Sequence, residues 1–365
     1  MTPVKVAFLL VSNSRYPIPS TRIAALNMFP FLRASNFDPQ IVFEPETDTE
    51  FPDVSQVAGR ILQEKFDLVV FQKVHGPSVL ELSRRVASAG CKTLCLVCDR
   101  VNAAVVEATD ATAVVTEYLK SLYPAALQSK IHVVHDGIEH PEIQKEEWSN
   151  HRGSPGDPLR AVLVTSARLD YLPIIRRPPD WLEVTIVGDY PPANPAWNRL
   201  RAAARNLHEM SGATKRIEYL RFLTSRRIRC VPWSPASVYN FMRRSDIGII
   251  PIDETPPSSP GMPAPVWKVK SENRLTMKMS VGLPVIASAI PSYEAVIEQG
   301  QNGFVARSIS DWIEFLERLR EPALRRTMGL NARASVLQRY SREEQARRLI
   351  EVIRSLVPGA PDRTT

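Results

Sequence analysis

The feature that most constrains this chain is a repeated alternation of short, unbroken apolar runs with amphipathic stretches. Val4-Lys-Val-Ala-Phe-Leu-Leu-Val11 opens the series. A run that is apolar at successive positions, rather than at every second one, suits a strand buried on both faces of a parallel sheet. Gln40–Phe43, Asp67–Phe71, Thr93–Cys98, Ala113–Val115 and Ile131–Val134 continue the pattern. Helical stretches fall between them, from Thr21 with Ser20 or Thr21 as cap, at Gln56–Glu64 and at Ser78–Ala87.

The segment Glu139–Leu159 interrupts the series with Pro141, Gly153, Pro155, Gly156 and Pro158 among many charges, and reads as a linker. The alternation then restarts. Ala161–Val164, Val184–Val187, Arg229–Val231, Ile247–Ile250, Pro284–Ala287 and Gly303–Ala306 are strands, with helices at Asn198–Leu207, Ser237–Arg244 and from about Ser271 to Val281. Near the end, Ser341 and Glu344 have capping-box spacing, and Ala346, Leu349, Ile350, Ile353 and Leu356 mark one helix face. The predicted class is α/β, with two Rossmann-like domains. Open parallel sheets bind ligands beyond the carboxyl ends of their strands, so two such edges are expected to face each other across a cleft.

A length of 365 residues accommodates two cores. The net charge of +7 favours anionic partners: nucleotide phosphates, nucleic acid or an anionic membrane surface. No apolar run approaches the roughly 18 residues that span a bilayer. Met1–Ser12 reads as a first strand rather than a signal peptide. The expected location is cytoplasmic, with peripheral contact to the inner face of the membrane left open. Cys91, Cys95 and Cys98 have the spacing of an iron–sulfur motif. A strand through Cys95 and Cys98 would point them to opposite faces, so they read as small buried hydrophobes. His132 and His135 likewise fall on opposite strand faces, and with His140 they argue against a metal site.

Several motifs are missing. The chain has no G-x-G, no G-K-[ST] and no G-x-S-x-G, which weakens dehydrogenase, P-loop and hydrolase readings. The Arg-rich run Lys215–Arg229 reads as a solvated face, since no nucleic-acid recognition motif accompanies it.

The stretch Lys268–Gly303 carries most. A Pro-rich loop from Pro251 to Pro265 feeds a helix that begins with Ser271, Asn273 and Arg274, and free N–H groups with the helix dipole make such an end an anion site. Lys268, Lys270 and Arg274 add positive charge, and Gly282-Leu-Pro284 turns the chain into the next strand. This stretch resembles the donor-binding segment of retaining GT-B glycosyltransferases, especially the GT4-like group. Gly282, Pro284, Val285, Glu294, Gly300 and Gly303 follow that group's order. Ser245–Ile252 resembles its "D-[IV]-x-[IV]-x-P" strand, His135–Glu139 its "P-N-G-[IV]-D" turn, and Pro19–Arg22 the start of its first helix. The chain departs from the group at Val269 and Met277, where many members carry glutamates, and after the first strand, where Ser12–Pro17 replaces a Gly-rich loop.

The resemblance implies a domain at 1–140 for the acceptor, a linker at 141–159, a nucleotide-sugar donor domain at 160–338, a helix at 339–357 returning to the first domain, and a tail at 358–365. It implies glycosyl transfer from a nucleotide sugar to a hydroxyl of a carbohydrate or glycoconjugate, with retention and with no metal or other cofactor. Donor contacts are expected from Lys270, Ser271, Asn273, Arg274, Arg168, Trp233 and Glu294, with the loop Asp253–Trp267 shaping donor choice. Asp99, His75 and Lys73, which follow strand ends, are the candidate catalytic or acceptor groups. Arg15 and Arg22 are candidates for phosphate or acceptor from the first domain. Three other readings stay open: a nucleotide-sugar epimerase or phosphorylase on the same fold, a non-catalytic nucleotide-sugar-binding protein, and, last, a nucleic-acid-binding role.

Overall fold

The computed structural model describes residues 2–165, 177–188, 203–204, 206–208, 210–259 and 261–357. Arg168, the tail 358–365 and most of the expected helix 198–207 lie outside the described residues. The chain forms two compact units. One comprises Met1–Glu139, Pro257–Glu272 and Arg339–Thr365, the other His140–Pro256 and Asn273–Gln338.

The first unit is built on a six-stranded sheet of order β2-β1-β3-β4-β5-β6. Its strands are β1 Val4–Leu10, β2 Phe37–Phe43, β3 Leu68–Gln72, β4 Lys92–Val97, β5 Ala111–Val114 and β6 Ile131–Val133. Every pairing is parallel. Six helices accompany them: α1 Pro19–Ala24, α2 Phe29–Ala34, α3 Ala58–Gln63, α4 Pro77–Ser88, α5 Ala103–Ala108 and α6 Glu117–Ser121. Strand β1 explains the unbroken apolar run. Ala7, Leu9 and Val11 pack on one side with Ile61, Val79 and Val86, while Val6, Phe8 and Leu10 pack on the other with Phe29 and Leu32. That second face is completed by Leu349, Ile350 and Ile353 of the closing helix, Arg342–Leu356. The Ser341 hydroxyl caps this helix by accepting from the Glu344 N–H at 3.1 Å.

The second unit has a six-stranded sheet of order β12-β11-β10-β7-β8-β9. Its strands are β7 Leu159–Val164, β8 Leu182–Gly188, β9 Ile228–Pro232, β10 Ile247–Ile250, β11 Val285–Ser288 and β12 Phe304–Ala306, all parallel. Its helices among the described residues are α7 Ala213–Thr224, α8 Pro235–Arg244, α9 Asn273–Val281, α10 Pro291–Glu294, α11 Ile309–Arg318 and α12 Pro322–Leu337; the closing helix Arg342–Leu356 is α13.

Two boundaries differ from the sequence reading. Residues 257–272, expected with the donor domain, belong to the first unit, because Ala264 and Val269 are buried in its core. The expected linker 141–159 is not a solvated spacer. Lys145 Nζ donates to the carbonyls of Arg243 at 3.2 Å and Ser245 at 2.7 Å. The fully buried Arg325 donates to the carbonyls of Ser149 and His151, both at 2.7 Å, and to those of Leu319 and Arg320, both at 2.8 Å. The buried Arg325 thus satisfies two carbonyls of the linker, and Lys145 anchors the linker to the end of α8, so this Pro-rich strap packs on the second unit.

The turn after α9 uses glycine on both sides. Gly282 has φ +94°, and a Cβ at Gly329 of α12 would lie 2.2 Å from the Gly282 carbonyl oxygen. Gly329→Ala is expected to cost about 1–3 kcal/mol through forced separation of α9 and α12, read as a lower urea midpoint. Gly59→Ala is the control: nothing lies within 4 Å of its Cβ. Its midpoint should hold or rise. Equal midpoints for the two variants would refute the close-contact account.

Candidate functional site

In the second unit, Asn273 and Arg274 lie at the start of α9, Trp233 after β9 and Glu294 at the end of α10. Asn273 and Arg274 open the helix, are half-buried, and have no acidic residue beside them in the first turn. A cation at a helix N-terminus opposes the dipole, so an anion there would satisfy both the dipole and Arg274. One turn on, Lys278 is fully buried, with Nζ donating to the Arg274 carbonyl at 3.1 Å. Burial, reinforced by the Arg274 charge, lowers its ammonium to about 7. Trp233 follows β9 directly and is half-buried, its N–H donating to the Gly188 carbonyl at 2.8 Å. Glu294 ends α10 and is exposed, and its carboxylate pairs with Arg307.

Lys270 and Ser271 fall in the first unit, just ahead of that helix. Asp136 is buried there and hydrogen-bonded by Ser271. Burial raises its carboxyl to about 6 against the effect of that bond, with the neighbouring Glu272 charge adding to the rise. His135 Nδ1 lies 2.7 Å from Glu272 Oε1 and 2.9 Å from the Val115 carbonyl, so one nitrogen faces two acceptors. A cavity of about 30 Å³, lined by Cys98, His135, Asp136, Gln345 and apolar neighbours such as Met28 and Leu349, opens beside this cluster. It has room for a water molecule.

The three groups predicted after strand ends come together in the first unit. Lys73 follows β3 with φ 56°, a left-handed conformation unusual for a residue with a Cβ. Its Nζ reaches Asp99 at 3.0 Å and Glu50 at 3.1 Å. Burial alone would lower Lys73, but the Asp99, Cys98 and Glu50 charges outweigh it and keep the ammonium protonated. Arg100 also pairs with Glu50 at 3.0 Å, and its guanidinium lies 5.3 Å from the centre of the exposed Phe51 ring. His75 is fully buried beneath this network, its N–H donating to the Glu50 carbonyl at 2.7 Å. Burial, with the Arg100 and Lys73 cations, lowers its imidazole to about 4, so it is neutral at neutral pH. Its Nδ1 lies 3.4 Å from the Asn102 amide nitrogen, which can only donate, so the ring proton belongs on Nε2, for which there is no acceptor among the described residues.

Arg22 is held in a bidentate pair with Glu139, at 2.6 and 2.9 Å, and Asn27 donates to the same carboxylate. Its guanidinium therefore braces the first unit. Arg15 is exposed on the loop after β1. Burial raises the thiols of Cys91 and Cys95 to about 12, as expected of packed side chains rather than ligating thiolates. Sequence reasoning missed Glu50, Arg100 and Glu272. Only Arg100 carried a signal, through its place beside Asp99.

Residues 179–351 match the family model described as glycosyl transferase-like. A search of curated protein sequences finds no match. Among solved structures, Anabaena HepE in complex with UDP and glucose is similar at 13% identity and TM-score 0.65, covering 96% of this chain and 100% of that one. A glycosyltransferase from Rickettsia africae is similar at 12% identity and TM-score 0.67, covering 98% and 99%. The sucrose-phosphate synthase of Thermosynechococcus elongatus follows at 12% identity and TM-score 0.64, covering 97% and 99%. The chain has the GT-B fold.

The His75 environment makes a pH prediction. The unfolded chain protonates this histidine near 6.5, whereas the folded one resists until about 4. Its share of stability is therefore complete above the unfolded value and declines as pH falls from there toward 4, by an amount on the order of a few kcal/mol. His75→Gln should flatten the loss of unfolding midpoint on acidification. An unchanged acid slope would show that His75 is not the group responsible.

Proposed function

We propose that this chain moves a glycosyl group from a nucleotide-sugar donor, bound in the second unit, to an acceptor hydroxyl bound in the first. Its GT-B fold and the match of residues 179–351 to a glycosyl transferase-like model support this reading. The observation that carries the donor assignment is the start of α9: a helix N-terminus with the Arg274 cation at its tip and no acid in the first turn. The leaving phosphate sits there, with Asn273 and Arg274 as contacts and Trp233 toward the base. Lys270 and Ser271 are further donor contacts. Negative charge develops on that phosphate as the sugar bond breaks, and fixed donors stabilise it as it forms. HepE was crystallised with UDP, which makes UDP the first nucleotide to test.

On the acceptor side, Asp99 and Glu50 offer partly exposed carboxylate oxygens, and Lys73 holds both in place. An acceptor hydroxyl donates to Asp99, and the exposed Phe51 ring borders the sugar. The resemblance to GT4-like enzymes supports retention and metal-independent transfer. The cations at α9 supply the charge that a metal would otherwise bring.

Arg274→Ala is expected to weaken UDP binding roughly ten- to hundredfold, the worth of one charged hydrogen-bonding group. Calorimetry on the full chain measures it. An unchanged dissociation constant would remove α9 as the phosphate site. In the presence of EDTA, turnover of a UDP-sugar should match turnover with added magnesium, and loss of activity under chelation would overturn the metal-independent reading.

One observation favours a second reading. Val269 and Met277, both buried, stand where many relatives carry glutamates. A binding protein without transfer activity would hold the donor tightly and show no turnover with any acceptor.

A further inference from the structure

Helix α7 presents apolar side chains on a buried face and on an exposed strip that adjoins it. Tyr219 and Phe222 point inward and join the core of the second unit. Ile217, Leu220 and Leu223, spaced three residues apart, are 50%, 47% and 43% exposed. That spacing keeps them in one strip along the helix, flanking the buried pair, with Leu223 next to Tyr219. About half of each of these three side chains remains exposed although the helix has already buried Tyr219 and Phe222.

The charge around the stripe is one-sided. From Ala213 to Arg229 there are six basic residues, Lys215, Arg216, Arg221, Arg226, Arg227 and Arg229, against the single acid Glu218. This short run therefore holds five of the chain's seven net positive charges. Lys215, Arg216, Arg221, Arg226 and Arg229 are exposed, while Arg227 pairs with Asp180 at 3.4 Å. The sequence reading took this run for a plain solvated face. The structure adds the aliphatic stripe to it.

We infer that α7 is a docking helix for an anionic lipid surface. Aliphatic side chains set among arginines are the composition of helices that lie in the bilayer interface, with the stripe among the acyl chains and the cations at the headgroup phosphates. Charge complementarity selects the lipid over a second copy of the chain, because two α7 helices would bring like charges together. No helix among the described residues is long and apolar enough to cross a membrane, so contact of this type is peripheral. The inference stands apart from the donor and acceptor assignments, since none of these residues belongs to either.

The test is co-sedimentation of the full chain with phosphatidylcholine vesicles, with and without added phosphatidylglycerol. Binding should appear on the anionic vesicles and weaken with salt. Lys215→Glu with Arg216→Glu should weaken it by at least tenfold, at roughly fivefold for each cation removed. Leu220→Ser should weaken it roughly tenfold. Leu220→Ser exchanges an exposed side chain, so an unchanged urea midpoint will show that the fold is intact, and UDP affinity provides an independent check on the donor site. Equal binding to both vesicle types, or binding indifferent to Leu220→Ser, overturns the inference. So does concentration-dependent self-association that Leu220→Ser abolishes, which would assign the stripe to a second copy.

Discussion

Two parallel sheets, each covered on both faces, set the terms for everything else in this protein. Parallel strands cannot be joined by tight hairpins, so each connection must cross over the sheet and return. The chain therefore emerges at the carboxyl end of every strand into a connecting segment that leads to the crossover. Lys73 comes directly after β3, Trp233 directly after β9, and Asp99 two residues after β4. Their positions follow from sheet topology before any chemistry is considered. The order β2-β1-β3 also places a reversal of strand order at β1 and β3, and the loops that leave them carry Ser12–Pro17 and Lys73–Gly76.

Such a scaffold is written in hydrophobic pattern rather than in residue identity. This accounts for whole-chain similarity to HepE and to sucrose-phosphate synthase at only 12–13% identity. Strands such as β1, β3, β10 and β11 were legible as apolar runs, since a strand buried on both faces has no polar positions to blur it, whereas β2 and β9 are only partly buried and carry polar residues. Helix α13 was legible from its cap and its apolar face. The pairings that shape the sites were not. Glu50 and Lys73 are brought to 3.1 Å by a loop with no motif, and Arg22 and Glu139 meet across more than a hundred residues of sequence. Charged side chains in loops carry no period, so nothing local announces their partners.

The same limit explains the misplaced boundaries. Pro-rich, charged segments look like spacers, and 141–159 has that composition. What fixes it to the second unit lies elsewhere, in Arg325 and Arg333 of α12. Arg333 donates to the carbonyls of Pro141 at 2.8 Å and Ser280. A guanidinium is suited to this task because its several N–H groups can satisfy several carbonyls at once. The segment 257–272 errs in the opposite direction. It reads as continuous with α9, yet Ala264 and Val269 belong to the other core, and the chain passes from one unit to the other between Glu272 and Asn273.

That crossing gives α9 its peculiar electrostatics. From Leu275 to Val281 every residue of the helix is buried, so its outward contacts are confined to its first turn. Lys278 lies within the buried stretch, with its stem against Gly248, where an added Cβ would come within 3.0 Å of Lys278 Cδ. Two cations one turn apart repel, and the buried one is the less well solvated, so it is the one whose charge is given up as pH rises through about 7. Arg274, by contrast, is only half-buried. The helix thus concentrates its accessible positive charge at its tip, on a planar group able to hold two oxygens at once, and the residue types there match a phosphate better than a sugar hydroxyl.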